Sequence, residues 1–245
     1  LTKSNTNNVL FFSARGLIRT NNEDGVFVSQ KKNLYAVADG LGGAAAGEVA
    51  SQKAMTILAQ WEPGMEANPL DGMHDIFDVI NEQVFHLAEN MPEYHGMGTT
   101  LTVTYLSEDT AYVGHVGDSR LYTFGENGLN LMSDDHTLEK VLKEQNKKLS
   151  KQQKNRTRNI LTKAIGIGES VQPDIFKTPL AGLSCLFFCT DGVNKHVKDR
   201  ELAEYFAAAN GDYDRLYDDL IETIFQRGAS DNFTFIILPI NKEET

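Results

Sequence analysis

The sequence predicts an α+β domain in which helices cover antiparallel β-sheets. Three observations carry that prediction: short alternating runs joined by tight turns, two long amphipathic helical patterns ahead of them, and a closing set of helices and one apolar strand. The order shows no internal repeat.

Taken along the chain, the first strong signal is the apolar run Leu34–Ala38, which ends in Asp39. In 46–61, Ala50, Ala54, Ile57, Leu58 and Trp61 fall on one helical face, and in 71–89 Met73, Ile76, Phe77, Ile80, Val84 and Leu87 do the same. The stretch EPGMEANPLDG between them carries the Pro and Gly of a loop. TTLTVTYL (99–106) and TAYVGHV (110–116), separated by Ser107-Glu108-Asp109, read as a β-hairpin, and SRLYTFG follows directly as a third strand. Strands joined this tightly should run antiparallel, because parallel neighbours need a crossover of a dozen or more residues. LSCLFFCT (183–190) and NFTFIILPI (232–240) are two more strands. Between them, Leu202, Tyr205 and Phe206 mark one helix, and Leu216, Leu220, Ile221, Ile224 and Phe225 mark another that ends by Gly228. The polar, basic segment 143–159 stands out in an acidic chain; it reads as a solvated helical hairpin or as a flap beside a site for an anionic partner.

Composition narrows the class. The chain has 245 residues, 41% hydrophobic and 23% charged, enough for one large domain or two small ones. A net charge of −11 argues against non-specific nucleic-acid binding and against attraction to anionic membranes. No apolar run approaches the ~20 residues that span a bilayer. Cys185 and Cys189, at i and i+4 of one strand, would sit ~13 Å apart, too far for a disulfide. They are expected to be buried thiols in a reducing compartment, hence a cytoplasmic location, with a monomer as the default state. The chain as given begins at Leu1, so a leader removed upstream is left open. Asn155 and Asn232 fit N-x-[ST] without a secretory context and are read as chance matches.

The loop after Leu34–Ala38 raises a choice. Gly40-x-Gly42-x-x-Ala45 fits the dinucleotide-binding G-x-G-x-x-G/A pattern, with Glu62 about twenty residues on. The antiparallel strand signals and a carboxylate, Asp39, at the mouth of an anion site count against that reading. Acids recur in the same context elsewhere, in RTNNEDG (19–25), VGDSRLY (116–122), CTDGVN (189–194) and ASDNFT (229–234). Each alone is a common turn sequence. Together, Asp39, Asp191 and Asp231 lie at strand ends from three distant parts of the chain, where packed sheets would bring them to one edge. Clustered carboxylates repel one another unless a cation neutralises them. Oxygen ligands without His or Cys favour Mg²⁺ or Mn²⁺, and two such ions bridged by one carboxylate would hold a hydroxide for in-line attack on phosphorus. Asp39 is the candidate bridge, and Gly40 lets its backbone approach a metal closely.

These segments, with YAVADGLGGAAAGEVAS, GMGTTLTV, DDHT, LTKAIG, LFFCTDGV and GASDNFTFIIL in the same order, resemble the metal-dependent protein phosphatases of type 2C in their bacterial form, from about Arg15 to Leu238. The resemblance implies a single catalytic domain over 1–245 with a flap near 143–159, and a four-layer α-β-β-α sandwich around two central antiparallel sheets. It implies hydrolysis of phosphoserine and phosphothreonine in proteins with two Mn²⁺ or Mg²⁺ ions. A eukaryotic-like Ser/Thr kinase or its targets would be the partners. Carried across, Asp39 would be the bridging ligand and Gly40 the carbonyl ligand. Asp191 and Asp231 would complete the first metal's shell, and Asp24 with Glu23 would hold metal-bound waters. Asp118 with Asp191 matches the pair that supports a third ion. Arg19, five residues before Asp24, would contact the phosphate, and Asn232 would orient Asp231.

The chain departs from the family pattern at Ala44, where many bacterial relatives have His, and at Leu41, where animal relatives carry a proposed general acid. Metal-bound water would then protonate the leaving oxygen, with His136 as an alternative donor or, more simply, a structural His capping a turn. The departures also motivate a second reading, a slow phosphoprotein-binding module on the same fold.

Overall fold

The computed structural model describes residues 4–6, 9–42, 46–61, 68–147 and 149–240. Ala44, Ala45 and Glu62, named above, lie outside the described residues, as does most of the loop predicted after Trp61. Among the described residues the elements run β1 (Ser4–Thr6), β2 (Val9–Ala14), β3 (Asp24–Ser29), β4 (Leu34–Leu41), α1 (Ala46–Gln60), α2 (Pro69–Asn90), β5 (Gly98–Thr99), β6 (Leu101–Ser107), β7 (Thr110–Val116), β8 (Arg120–Gly125), β9 (Gly128–Leu131), α3 (Leu138–Glu144), α4 (Lys151–Thr157), β10 (Asp174–Pro179), β11 (Leu183–Cys189), α5 (Asp191–His196), α6 (Asp199–Ala209), α7 (Tyr213–Gln226) and β12 (Phe233–Pro239).

They form two sheets, in the order β1-β2-β12-β11-β8-β9 and β10-β7-β6-β4-β3, with β5 pairing the end of β4. Every pairing is antiparallel, which removes the parallel sheet that a dinucleotide fold requires. The hairpin of β6 and β7 is as expected, with Leu101 opposite Val116 and Ser107 opposite Thr110.

The next strand is a correction. The sequence SRLYTFG does not continue that sheet: β8 pairs β9 and β11 in the other one. The chain crosses between sheets at Gly117–Ser119, where Gly117 holds φ +111 and an added Cβ would meet the Thr100 side chain at 2.5 Å. Such a turn favours glycine, and it lets a connection of hairpin length change sheets.

The strand sequences explain the layering. Strands in both sheets are covered on both sides, so they read as continuous apolar runs, yet the period of two still sorts them. In β4, Leu34, Ala36 and Ala38 pack with α1 and α2 against Met73, Ile76, Phe77 and Ile80. Tyr35 and Val37 point instead between the sheets, against Val113, Leu186, Phe188 and Ile236. In β11 and β12, Cys185, Phe187, Cys189, Phe233, Phe235 and Ile237 face α6 and α7. This is the four-layer sandwich, and each fully buried Phe, Leu or Ile contributes roughly 1.5–3 kcal/mol to it.

Both cysteines are buried and free on one face of β11, as expected. The basic segment contains α4 and the end of α3, a polar helical pair; Ser150 closes a capping box with Gln153 at the start of α4. No helix among the described residues is long and apolar enough to cross a membrane.

Candidate active site

Asp24 opens β3 and Asp39 lies near the end of β4, and the antiparallel register sets the two directly opposite each other. Asp118 follows β7, Asp191 opens α5 straight after β11, and Asp231 immediately precedes β12. Strand ends from both sheets thus gather these carboxylates at one edge of the sandwich.

Backbone and hydroxyl groups hold the edge in shape. The Asp39 amide donates to Thr100 Oγ1 at 2.8 Å, and its carbonyl accepts from the Thr100 amide at 2.8 Å and from Thr99 Oγ1 at 3.0 Å. The Gly40 amide donates to the Glu23 carbonyl at 3.1 Å. A Cβ on Gly40 would meet the Gly47 carbonyl oxygen at 2.1 Å, so only glycine lets β4 lie against the start of α1. Thr190 Oγ1 donates to Asp24 Oδ2 at 2.8 Å, while Asp24 Oδ1 is buried with no hydrogen-bond partner among the described residues.

The electrostatics follow from this crowding. Burial pushes the Asp24 carboxyl up to about 7, with Asp191 and Asp231 adding to the rise and the hydroxyls of Thr234 and Thr190 opposing it. Asp39 is raised well above the usual carboxylate range by burial and then by Asp24, Asp191 and Asp118. Burial also lifts Asp118 to about 7, reinforced by Asp191 and Asp135. Asp191 and Asp231 have local cations. Lys195 Nζ donates to Asp191 at 2.7–2.8 Å and also to Asp231 Oδ2, and Arg19 Nη2 reaches Asp231 Oδ1 at 2.7 Å.

Glu23 joins the site through its backbone. Its amide donates to Asn232 Oδ1 at 2.9 Å. The Asn232 side chain does not turn to Asp231; Nδ2 donates to the carbonyls of Arg15 and Asn21 at 2.9 and 2.8 Å. It is the Asn232 backbone amide that orients Asp231, donating to Oδ1 at 3.0 Å. Asn232 is buried, which fits the reading of its N-x-[ST] match as chance.

His136 has a structural role. Its Nδ1 accepts from the Gly117 amide at 3.0 Å and its Nε2 contacts Asp174 Oδ2 at 3.0 Å, so both ring nitrogens are engaged. Sequence reasoning missed Thr190, the Asn232 clamp and Lys195. Lys195 carried a usable signal, the i, i+4 spacing from Asp191, once 191–196 is read as helix.

The donor set fits hard divalent cations: all ligand atoms are oxygens, several carboxylates repel one another, and Asp24 has an orphaned buried oxygen. As the side chains stand, no three His, Cys, Asp or Glu groups among the described residues converge tightly enough to share one ion.

The protein phosphatase 2C family model matches residues 4–233. A serine/threonine phosphatase, stp, of Listeria welshimeri is 30% identical over 243 residues, covering 94% of this chain and 95% of the relative. A bacterial serine phosphatase crystal structure superposes with a TM-score of 0.86 at 29% identity, covering 97% of this chain and 99% of that one. The catalytic domain of the serine/threonine protein phosphatase PstP, crystallised with two manganese ions, gives 0.82 at 28% identity over 95% of this chain and 98% of that one. Fold and site therefore define a phosphatase of the metal-dependent class. The chain belongs to the protein phosphatase 2C family.

Proposed function

We propose that residues 1–245 form one catalytic domain that hydrolyses phosphoserine and phosphothreonine in proteins with Mn²⁺ or Mg²⁺. The observation that carries this reading is the opposed pair Asp24–Asp39 within a ring completed by Asp118, Asp191 and Asp231. Asp39 would bridge two ions, Gly40 would offer its carbonyl, Asp191 and Asp231 would complete one shell, and Asp24 with Glu23 would hold the waters of the other. Asp118 with Asp191 would hold a third ion. When bound, the ions polarise the phosphoryl oxygens and activate the attacking water.

Arg19 is on the solvent side of this arrangement, with its side chain 48% exposed. Its planar fork suits two phosphate oxygens, and on substrate binding it would exchange Asp231 for the phosphate. Thr99 and Thr100 fix the Asp39 backbone, so the carboxylate does not have to reorganise when charge builds up on the phosphoryl group. With both ring nitrogens of His136 engaged, the leaving serine or threonine oxygen takes its proton from water. The buried free thiols support a reducing, cytoplasmic setting; a eukaryotic-like kinase or its targets as partner and a monomeric state complete the proposal. Release of inorganic phosphate from a phosphothreonine peptide, measured with Mn²⁺, with Mg²⁺ and with EDTA, tests it. Metal-dependent release is expected, and no release under any of the three conditions contradicts the reading.

A further inference from the structure

We infer that Lys195 is a built-in competitor for the metal: its ammonium sits between Asp191 and Asp231 where a divalent cation would bind, and loading requires its displacement. The inference rests on the proposed metal-centre reading of the site.

The geometry is specific. Asp191 and Lys195 are one helical turn apart on α5, in the favourable order of acid before base. Lys195 Nζ lies 2.8 Å from Asp191 Oδ1 and 2.7 Å from Oδ2, and it also holds Asp231 Oδ2. Asp231 Oδ1 is taken by Arg19 at 2.7 Å and by the Asn232 amide at 3.0 Å. Every carboxylate oxygen of these two residues therefore has a donor. The remaining three acids, Asp24, Asp39 and Asp118, form no ion pair among the described residues and are raised first by burial, with Asp191 adding to the rise of each.

Charge in the site is thus divided into a neutralised half and an unneutralised half. The ammonium bridges Asp191 and Asp231, and among the described residues no three acidic groups converge for one ion. A lysine suits this role better than an arginine. Its head is a compact charge on a four-carbon stem that can swing toward solvent, and it is 27% exposed here. A divalent ion can win the exchange because it brings two charges to the same oxygens.

Removing the ammonium should move two properties in opposite directions, which a merely structural residue would not do. In Lys195→Met, Asp191 loses its cation and Asp231 keeps only Arg19, so the EDTA-treated protein melts lower; yet Mn²⁺ no longer has to displace the ammonium and binds tighter, by about tenfold. Lys195→Gln, which keeps a hydrogen-bond donor without charge, is the second variant should the first not fold without metal. Lys195→Arg keeps the wild-type affinity within a few-fold. The experiment is calorimetric titration of Mn²⁺ into EDTA-stripped, dialysed protein, paired with thermal melts in EDTA and in Mn²⁺. Equal or weaker Mn²⁺ binding by the Met and Gln variants overturns the inference and leaves the metal centre standing. Absence of Mn²⁺ binding by wild type and variants alike overturns both.

Discussion

Asp24 and Asp39 stand opposite each other across β3 and β4, two carboxylates in register with no ion pair of their own among the described residues. A chain that folds such a pair into proximity without a cation is less stable than it need be, and that cost can be measured.

The pH dependence of the metal-free protein is the first consequence. A carboxyl raised to about 7 on folding, as for Asp24 and Asp118, binds its proton more readily in the native chain than in the unfolded one. Stability then falls as pH rises through 7 and is regained as pH falls toward the ordinary carboxylate range. His115, lowered to about 4 by burial and by His136, works in the opposite direction, as do His136 and His196, both lowered by burial, once pH falls into the range of the unfolded imidazole. Between pH 8 and 7 the carboxylates dominate. Denaturant unfolding in EDTA should show a gain on the order of 1 kcal/mol over that interval, and saturating Mn²⁺ should flatten it. A flat profile without metal contradicts the account.

Arg19 supplies the second. Because it pairs with Asp231 at a half-exposed position, its loss should cost the fold at most about 1 kcal/mol. Arg19→Ala should nevertheless lower kcat/KM on a phosphothreonine peptide by about 10- to 100-fold, with Arg19→Lys recovering only part because it cannot form the two-oxygen fork. Steady-state kinetics on the three proteins checks this.

Asn232 supplies the third. Its side chain joins β12 to the loop before β3 through three hydrogen bonds, to Arg15, Asn21 and Glu23. Asn232→Ala leaves those part-buried backbone groups without their side-chain partner, at a cost of roughly 1–3 kcal/mol. Chemical denaturation should show the loss. Activity should fall too, because Glu23 and Asp24 lose their fixed position against Asp39.

Much of this was legible in the residues. The long helices showed their 3.6-residue stripes, and the central strands were recognisable as apolar runs bounded by Asp-Gly and Asp-Asn turns. The crossing at Gly117–Ser119 was not, because a short connection reads as a hairpin whether its strands share a sheet or face each other across two. Strands β2, β3, β9 and β10 were also passed over, their alternation weaker than that of β6 and β7. The acids were found because they sit at strand ends. Lys195 was missed because CTDGVN was read as a turn, which hides the helical spacing that carries its ammonium to Asp191 and Asp231. The Asn232 clamp depends on contacts more than 200 positions apart in the chain, such as that with Glu23, which no local pattern encodes.

The central claim is that Asp39 and Asp231 hold the metal that makes the phosphoryl group reactive. It is tested most directly by phosphate release from a phosphothreonine peptide under saturating Mn²⁺, comparing wild type with Asp39→Asn and Asp231→Asn, each first confirmed folded by circular dichroism. The account predicts that both variants lose nearly all activity. Wild-type, Mn²⁺-dependent turnover in either variant would contradict it.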